Sequence, residues 1–344
     1  MKLSILIPLY NKEKYIERCF KSLLDQDLSS NEYEIIIVDD GSKDSGAAIV
    51  AEYAEKHANI HLIKQQNQGP SVARNKCLEA AKGDYVYFLD ADDYLATNVL
   101  KAVIELATEH ELDVLEFNTK EKKEGSELDF DSMTQNPQNL PVVVMDGITY
   151  VAEHGFRNEA WRYIVKRSLL EDAGVKFIEG TLYEDAIFTA SLFFKANRMA
   201  KVDMDVHRYI VVENSIVTSK DRAHNLKFIH GMVNAIEHFH SLIKGLDSSH
   251  PDYGRVVKNL KGKQQAYVFA LIIRTLKYRL LSFKELKQIL SKLHTFEAYP
   301  MDPKIGGIGE GSTGRLYNMT FVPAFNNKTC LYLGMGLMKI MPSR

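Results

Sequence analysis

Buried strands that run straight into carboxylates constrain this chain more than any other feature. The apolar run Tyr85-Val86-Tyr87-Phe88-Leu89 ends at Asp90-Ala91-Asp92-Asp93. The run Glu34-Ile35-Ile36-Ile37-Val38 ends at Asp39-Asp40-Gly41-Ser42, and a third cluster, Asn67-Gln68-Gly69, follows Ile60–Ile63. A fourth, Glu184-Asp185, stands much later. Carboxylates crowded in this way repel one another unless a cation sits among them. A divalent ion with hard oxygen ligands, shared with a phosphate, relieves that repulsion.

The pattern around these clusters alternates. Strands are expected at 3–7, 34–38, 60–63, 85–89 and 114–117. Helices are expected at 47–54, 71–81 and 95–110, with a further one capped by Asn11 that carries Tyr15, Ile16, Cys19, Phe20, Leu23 and Leu24 on one face. Strands as continuously apolar as 34–38 are covered on both faces, as in parallel sheets. Strand and helix in alternation give an α/β fold, a mostly parallel central sheet flanked by helices. Ligands of such sheets bind beyond the carboxyl ends of the strands, where Asp39, Asn67 and Asp90 fall. Residues 120–139 read as an exposed polar excursion and Trp161–Val165 as a strand. Helices are expected at 224–246, 259–281 and 283–293. A boundary near residue 220 separates a first domain, 1–220, from a mainly helical region, 221–344.

Bulk properties exclude several classes. The 344 residues carry a formal net charge of −2, which argues against broad phosphate neutralisation on a nucleic acid. The three cysteines, Cys19, Cys77 and Cys330, form no CxxC pair, so neither a zinc site nor a disulfide framework is indicated. The opening residues lack a signal-peptide pattern, and no run reaches the ~20 apolar residues of a spanning helix. A reducing, cytoplasmic setting is the expectation.

In Asp90-Ala91-Asp92 two carboxylates stand two residues apart and share a face of an extended chain. One can hold a divalent ion while the other bonds a sugar hydroxyl; a helix N-cap at Asp92 or Asp93 is the alternative use, and three carboxylates directly after a buried aromatic strand favour the first. Asp39 can accept from a donor edge such as the N3–H of uracil, or serve a polar turn. Tyr10 can stack on a flat base or simply pack. Arg74 opens a helix and can reach a phosphate, or lie at the surface. Glu184-Asp185 lies among apolar residues, which suits a general base. The plainer reading is a pair of helix N-terminal acids. The glycine-rich stretch 305–311 lacks a preceding strand and a Lys-Ser/Thr pair, so it reads as a loop. His207 stands alone.

The residues Ser4–Asn11, Ile37–Asp44, Asn67–Asn75 and Gly83–Asp93 together resemble the inverting nucleotide-sugar glycosyltransferases of family 2, which have the GT-A fold. Trp161, Tyr183-Glu184-Asp185 and Asn214-Ser215-Ile216 fit the acceptor half. The resemblance covers the first 220 residues. It implies that Pro8, Tyr10, Glu13, Asn67 and Asp39 line a nucleotide pocket, with Asp39 reading the base and Arg74 near the phosphates. It implies further that Asp90 touches the ribose and Asp92 holds Mn²⁺ or Mg²⁺. Asp185 would be the base, and Trp161 and Glu184 would belong to the acceptor side. The implied donor is a UDP-sugar and the implied acceptor a glycan or a lipid-linked hydroxyl, in surface polysaccharide biosynthesis. One departure stands out: many relatives carry a Tyr-x-Tyr-Arg run, whereas this chain reads Val206-His207-Arg208-Tyr209-Ile210. A nucleotidyltransferase shares the sheet and the metal carboxylate, but the Gly-rich basic signature after the first strand is missing at Pro8-Leu9-Tyr10-Asn11. A silent sugar-nucleotide-binding scaffold is the third reading, opposed by intact Asp92 and Asp185.

Basic residues punctuate the apolar stretches of 221–344, a pattern that suits peripheral contact with the inner face of the cell membrane. A helical subdomain over the core, or a homodimer contact, accounts for it more plainly. The whole reading requires residues 39, 90, 92 and 185 to converge on one cleft.

Overall fold

The computed structural model describes residues 1–344 apart from 133–135, 137–138, 213–220, 306–310 and 341–344, and apart from the side chains of 311–317 and 338–340. Asn214-Ser215-Ile216 and most of the glycine-rich stretch therefore lie outside the described residues. The chain forms two compact units. One comprises Met1–Tyr150, Arg157–Gly180 and Phe188–Glu213, the other Val151–Phe156, Thr181–Ile187 and Asn214–Arg344.

The first unit is built on an eight-stranded sheet. In chain order its strands are β1 (Leu3–Leu9), β2 (Tyr33–Asp39), β3 (Ile60–Lys64), β4 (Tyr85–Phe88), β5 (Tyr94–Leu95), β6 (Val114–Lys123), β7 (Tyr163–Lys166) and β8 (Met199–Val211). They lie in the order β3-β2-β1-β4-β7-β6-β8-β5. The run from β3 to β4 is parallel, with Leu3 opposite both Tyr33 and Tyr85. Every residue of β2 is buried, as a strand covered on both faces requires. Beyond β4 the sheet turns mixed, because β7 runs antiparallel to both β4 and β6. The α/β, GT-A-like architecture expected from the sequence is the one observed.

The crossovers are α1 (Ile16–Leu24), α2 (Gly46–Lys56), α3 (Pro70–Ala80) and α4 (Leu100–Glu109), with α5 (Gly147–His154) and α6 (Arg167–Ala173) later. Ile16, Cys19, Phe20 and Leu23 bury the face of α1 that the spacing predicts. Asn11 does not cap this helix; the cap position is Tyr15, and Asn11 sits five residues before the helix with φ +52°. Its Oδ1 accepts from the Lys43 amide at 2.7 Å, so it ties two loops together instead. Gly83 follows α3 at a tight approach to β1: a Cβ there would lie 2.5 Å from the Ser4 nitrogen.

Three further expectations are corrected. The single helix at 95–110 is instead the two-residue strand β5 followed by α4, because Tyr94 and Leu95 pair with Arg208 and His207 of β8. The polar stretch after 120 begins as strand: β6 continues to Lys123 alongside β8. Beyond it, residues 123–128 are exposed as expected, and the ring of Phe130 lies 5.0 Å from that of Tyr94. Trp161 lies in a short 3-10 turn, Ala160–Arg162, and the strand starts two residues later.

The helix α7 (Glu184–Phe193) opens with residues of the second unit and closes with residues of the first. The second unit otherwise holds α8 (Arg222–Gly245), α9 (Tyr253–Tyr278), α10 (Phe283–Thr295), α11 (Gly311–Asn326) and α12 (Lys328–Ile340). Its own core gathers Ile229, Ile236, Leu271, Leu286, Val322 and Leu331. Among the described residues no helix is long and apolar enough to cross a membrane.

Candidate functional site

Because β1 to β4 are parallel, their carboxyl ends share one sheet edge. That edge carries Pro8 from β1 with Tyr10 just after it, Asp39 from β2, Asn67 after β3 and Asp90 after β4. The chain leaves β1 for β2 on one side, with β4 on the other, so the edge beside β1 is a topological switch point. Tyr10 is 45% exposed, so its ring is presented to solvent rather than packed. Asn67 is exposed and Pro8 half-buried.

Asp39 is buried at the last position of β2. Its Oδ1 accepts from the Ser42 amide at 3.0 Å. No described residue donates to its Oδ2, which leaves an acceptor oxygen for a ligand. Asp40, next in the chain, is fully engaged. Its carboxylate accepts from Gln65 Nε2 at 2.8 Å, from the Gln68 amide at 2.8 Å and from the Gly69 amide at 2.9 Å. Asp40 thus fastens the loop that presents Asn67. Gly41 lies against the same loop with φ +75°, where a Cβ would stand 3.0 Å from the Asn67 nitrogen. Glu13 is exposed and its carboxylate accepts from the Ser45 amide at 2.9 Å, while Asp44 accepts from the Glu13 amide at 2.9 Å. Glu13 therefore braces the β1 and β2 loops.

The Asp90–Asp93 turn gives each carboxylate a different neighbour. Asp90 pairs with Arg74 at 3.0 Å. Arg74 is buried in α3 with its guanidinium over the Phe177 ring, so it positions Asp90 and is not a surface residue. Asp92 pairs with Lys12, and Arg18 donates to its main-chain carbonyl. Burial pushes the Asp92 carboxyl above its ordinary value against the pull of Lys12, and the charge of Asp90 adds to the rise. Asp93 is fully buried; its Oδ1 accepts from the Ile210 amide at 2.8 Å and its Oδ2 meets His207 Nε2 at 3.1 Å. Burial, followed by the charges of Asp90 and Asp92, drives the Asp93 carboxyl well upward.

His207 joins this turn to the interior of the sheet. Its Nδ1 bonds the Tyr87 hydroxyl at 2.6 Å, and complete burial holds the imidazole well below its usual range. Trp161 stacks on His207 with centroids 4.5 Å apart and planes 3° apart, and on Tyr209 at 5.1 Å and 17°. The predicted acceptor-wall residue is therefore held beside the carboxylate turn. No sequence signal pointed to His207 or Tyr87, because their partners are separated by 120 positions.

Arg208, the arginine displaced from the family pattern, points into a buried pair. It has no exposed surface, forks onto Asp205 at 2.7 and 3.1 Å, and donates to the main chain of Asp129 and Asp131. Its charge is consumed there, and it cannot serve as a mobile phosphate ligand.

Glu184 and Asp185 occupy the first turn of α7, within the second unit. Glu184 is buried and Asp185 half-buried. Tyr183 just before them has φ +68°. Its ring packs against Phe228 at 5.9 Å and Tyr267 at 4.9 Å. The helix N-terminus favours both acids electrostatically.

Among the described residues no three His, Cys, Asp or Glu side chains form a metal-holding group. The oxygens of Asp92 nonetheless fit a hard divalent ion. Such ions are commonly held by one or two carboxylates together with substrate phosphates. Lys12 already offsets part of the charge of Asp92 at this turn.

Residues 4–157 match the family model described as glycosyl transferase family 2. The chain is 35% identical over 221 residues to an uncharacterised glycosyltransferase, EpsJ, of Bacillus subtilis, an alignment that spans 62% of each chain. It is 30% identical over 211 residues to the poly(ribitol-phosphate) β-N-acetylglucosaminyltransferase TarS of Staphylococcus aureus, covering 61% of this chain and 35% of TarS. The crystal structure of TarS 1–349 in complex with UDP-GlcNAc superposes with a TM-score of 0.69 at 23% identity, covering 96% of this chain and 91% of that one. This last likeness shows a shared fold.

Proposed function

We propose that this chain, whose residues 4–157 match the model of glycosyl transferase family 2, transfers a sugar from a nucleoside diphosphate donor, a UDP-sugar, to a hydroxyl of a glycan or lipid-linked acceptor in the building of a surface polysaccharide. The observation that carries this reading is the sheet edge itself, where Tyr10, Asp39, Asn67 and Asp90 sit at the ends of adjacent parallel strands. Tyr10 offers a flat face to a base, and the open Oδ2 of Asp39 an acceptor for an N–H edge. Asp90, steadied by Arg74, is placed for the ribose hydroxyls. The UDP-GlcNAc complex of TarS supports a UDP-sugar as donor.

Asp92 would hold Mn²⁺ or Mg²⁺, and an ion bound there would offset the charge of the departing diphosphate. Asp185, in the acidic first turn of α7, accepts the proton of the acceptor hydroxyl. The acceptor oxygen forms its bond to the anomeric carbon as the bond to the diphosphate breaks on the opposite face, so configuration inverts. Trp161, pinned by His207, forms a rigid aromatic wall for the acceptor, with Glu184 beside Asp185 in sequence.

A screen of nucleoside diphosphate release across nucleotide sugars, with and without Mn²⁺, tests the proposal. Turnover is expected with UDP-sugars. Asp185→Asn should lower it by about 10²–10⁴-fold, the usual contribution of a positioned base. Asp92→Ala should abolish the metal dependence. Full activity in EDTA would remove the metal role, and full turnover in Asp185→Asn would remove the base. Binding of UDP with no release from any donor would leave a scaffold in place of an enzyme.

A further inference from the structure

The outward side of the C-terminal helices takes no part in the site above. The inward side chains of α11 and α12, Val322, Phe325, Leu331 and Met335, are buried in the core of the second unit. The opposite side of α12 is apolar as well, with Leu333 and Leu337 each 63% exposed, while Met319 at 77% and Phe321 at 41% flank the buried stripe of α11 on either side. Single exposed apolar residues are ordinary. A helix apolar on both faces, as α12 is, calls for cover on both.

The patch continues onto neighbouring helices. The Tyr332 ring meets that of Phe283, itself 39% exposed, at 5.3 Å. The Phe321 ring lies 6.4 Å from Phe269 of α9. One turn after Phe269 comes Ile273, also exposed. Exposed lysines border these residues: Lys277 a turn beyond Ile273, Lys284 beside Phe283, and Lys328 at the start of α12.

Charge identifies what covers the patch. From residue 311 to 344 the sequence carries Arg315, Lys328, Lys339 and Arg344 and not one Asp or Glu, in a chain whose acids and bases nearly balance as a whole at 45 to 43. A second copy docked on this face by a twofold axis would bring cations against cations, which opposes pairing. An anionic lipid surface complements both the apolar side chains and the bases.

We propose that the α11–α12 hairpin docks the chain on an anionic lipid bilayer. Leu333 and Leu337 enter the boundary between headgroups and acyl chains, and the exposed Lys284 and Lys328 engage the lipid phosphates. This docking does not depend on the transfer reaction.

The test is flotation of the full chain with vesicles of phosphatidylcholine alone and of phosphatidylcholine mixed with phosphatidylglycerol. Binding to the mixed vesicles is expected, weakening as salt rises and on Lys328→Glu. The double substitution Leu333→Ser and Leu337→Ser should weaken binding about a hundredfold, the loss expected when two leucine side chains forgo burial. Both positions are mostly exposed, so an unchanged melting curve will show that the fold is intact. Light scattering provides the counter-test. A dimer in vesicle-free buffer that the double substitution dissolves would overturn the proposal in favour of a second copy. Absence of flotation with the anionic vesicles, or flotation unchanged in the double variant, would overturn it as well.

Discussion

Removing the Asp40 carboxylate should loosen the nucleotide edge without touching any residue proposed to contact the donor. Asp40 is 3% exposed and receives three donors at 2.8 to 2.9 Å. Two of them are main-chain amides of the loop that presents Asn67. A hydrogen bond to a charged acceptor is worth about 1.5–3 kcal/mol, and an abandoned buried donor costs about 1–3 kcal/mol. The Gln68 side of the loop is exposed, so water recovers part of this loss. Asp40→Ala should then cost about 3 kcal/mol, near 1 kcal/mol for each bond. Asp40→Asn retains one acceptor oxygen. Whichever way the amide is turned it faces at least one N–H with an N–H, so a loss of about 1–2 kcal/mol is expected. Hydrogen exchange followed by mass spectrometry is the direct assay, with urea unfolding alongside it. The Gln68 and Gly69 amides should exchange faster in the order wild type, Asn, Ala, at roughly tenfold per 1.4 kcal/mol when exchange proceeds by local opening. UDP affinity should fall in the same order. Unchanged protection at these two amides in Asp40→Ala would refute the bracing role. So would an Asn variant worse than Ala.

Tyr87→Phe deletes the hydroxyl on His207 Nδ1 and should cost about 1–2 kcal/mol in urea unfolding, since a buried ring nitrogen loses its partner; no change would mean that the His207 chain does not order the Asp93 turn. Arg208→Met should destabilise by about 3–5 kcal/mol, as breaking a buried pair does, while UDP affinity holds; a selective loss of UDP binding with stability intact would return Arg208 to the phosphates. Burial pushes the Cys77 thiol up to about 12 and Cys19 higher still, whereas Cys330 is exposed. At mildly alkaline pH the folded chain should therefore take one alkyl group, at Cys330, and all three only in denaturant, as counted by intact mass.

Much of the edge was legible because parallel-sheet logic and residue chemistry coincide there. Apolar runs such as Ile35–Val38 mark strands covered on both faces, and the chain must turn directly after them, so Asp39 and Asp90 could be placed without coordinates. The misreadings share a cause: long-range pairing overrode local pattern. Tyr94 and Leu95 fit the helical period of the residues after them, yet β8 claims them for the sheet. Residues 120–123 look like a solvated loop because this end of β6 is only half-buried, and strand pairing, not apolarity, holds it. Asn11 has the side chain of a cap, but the loop after β2 supplies a better donor. His207 could not be read at all. A lone histidine between valine and arginine gives no sign that Tyr87, Asp93 and Trp161 close around it. Arg74 was legible as a basic group at the site, but its engagement with Asp90 was not.

The sequence contains a single tryptophan, and the fold has stacked it between His207 and Tyr209 beside the Asp90–Asp93 turn. All of the chain's indole emission therefore originates next to the proposed cleft. With excitation at the red edge of the indole band, where the 17 tyrosines absorb little, a fluorimeter can follow donor and acceptor titrations on the unlabelled protein with no background from a second indole.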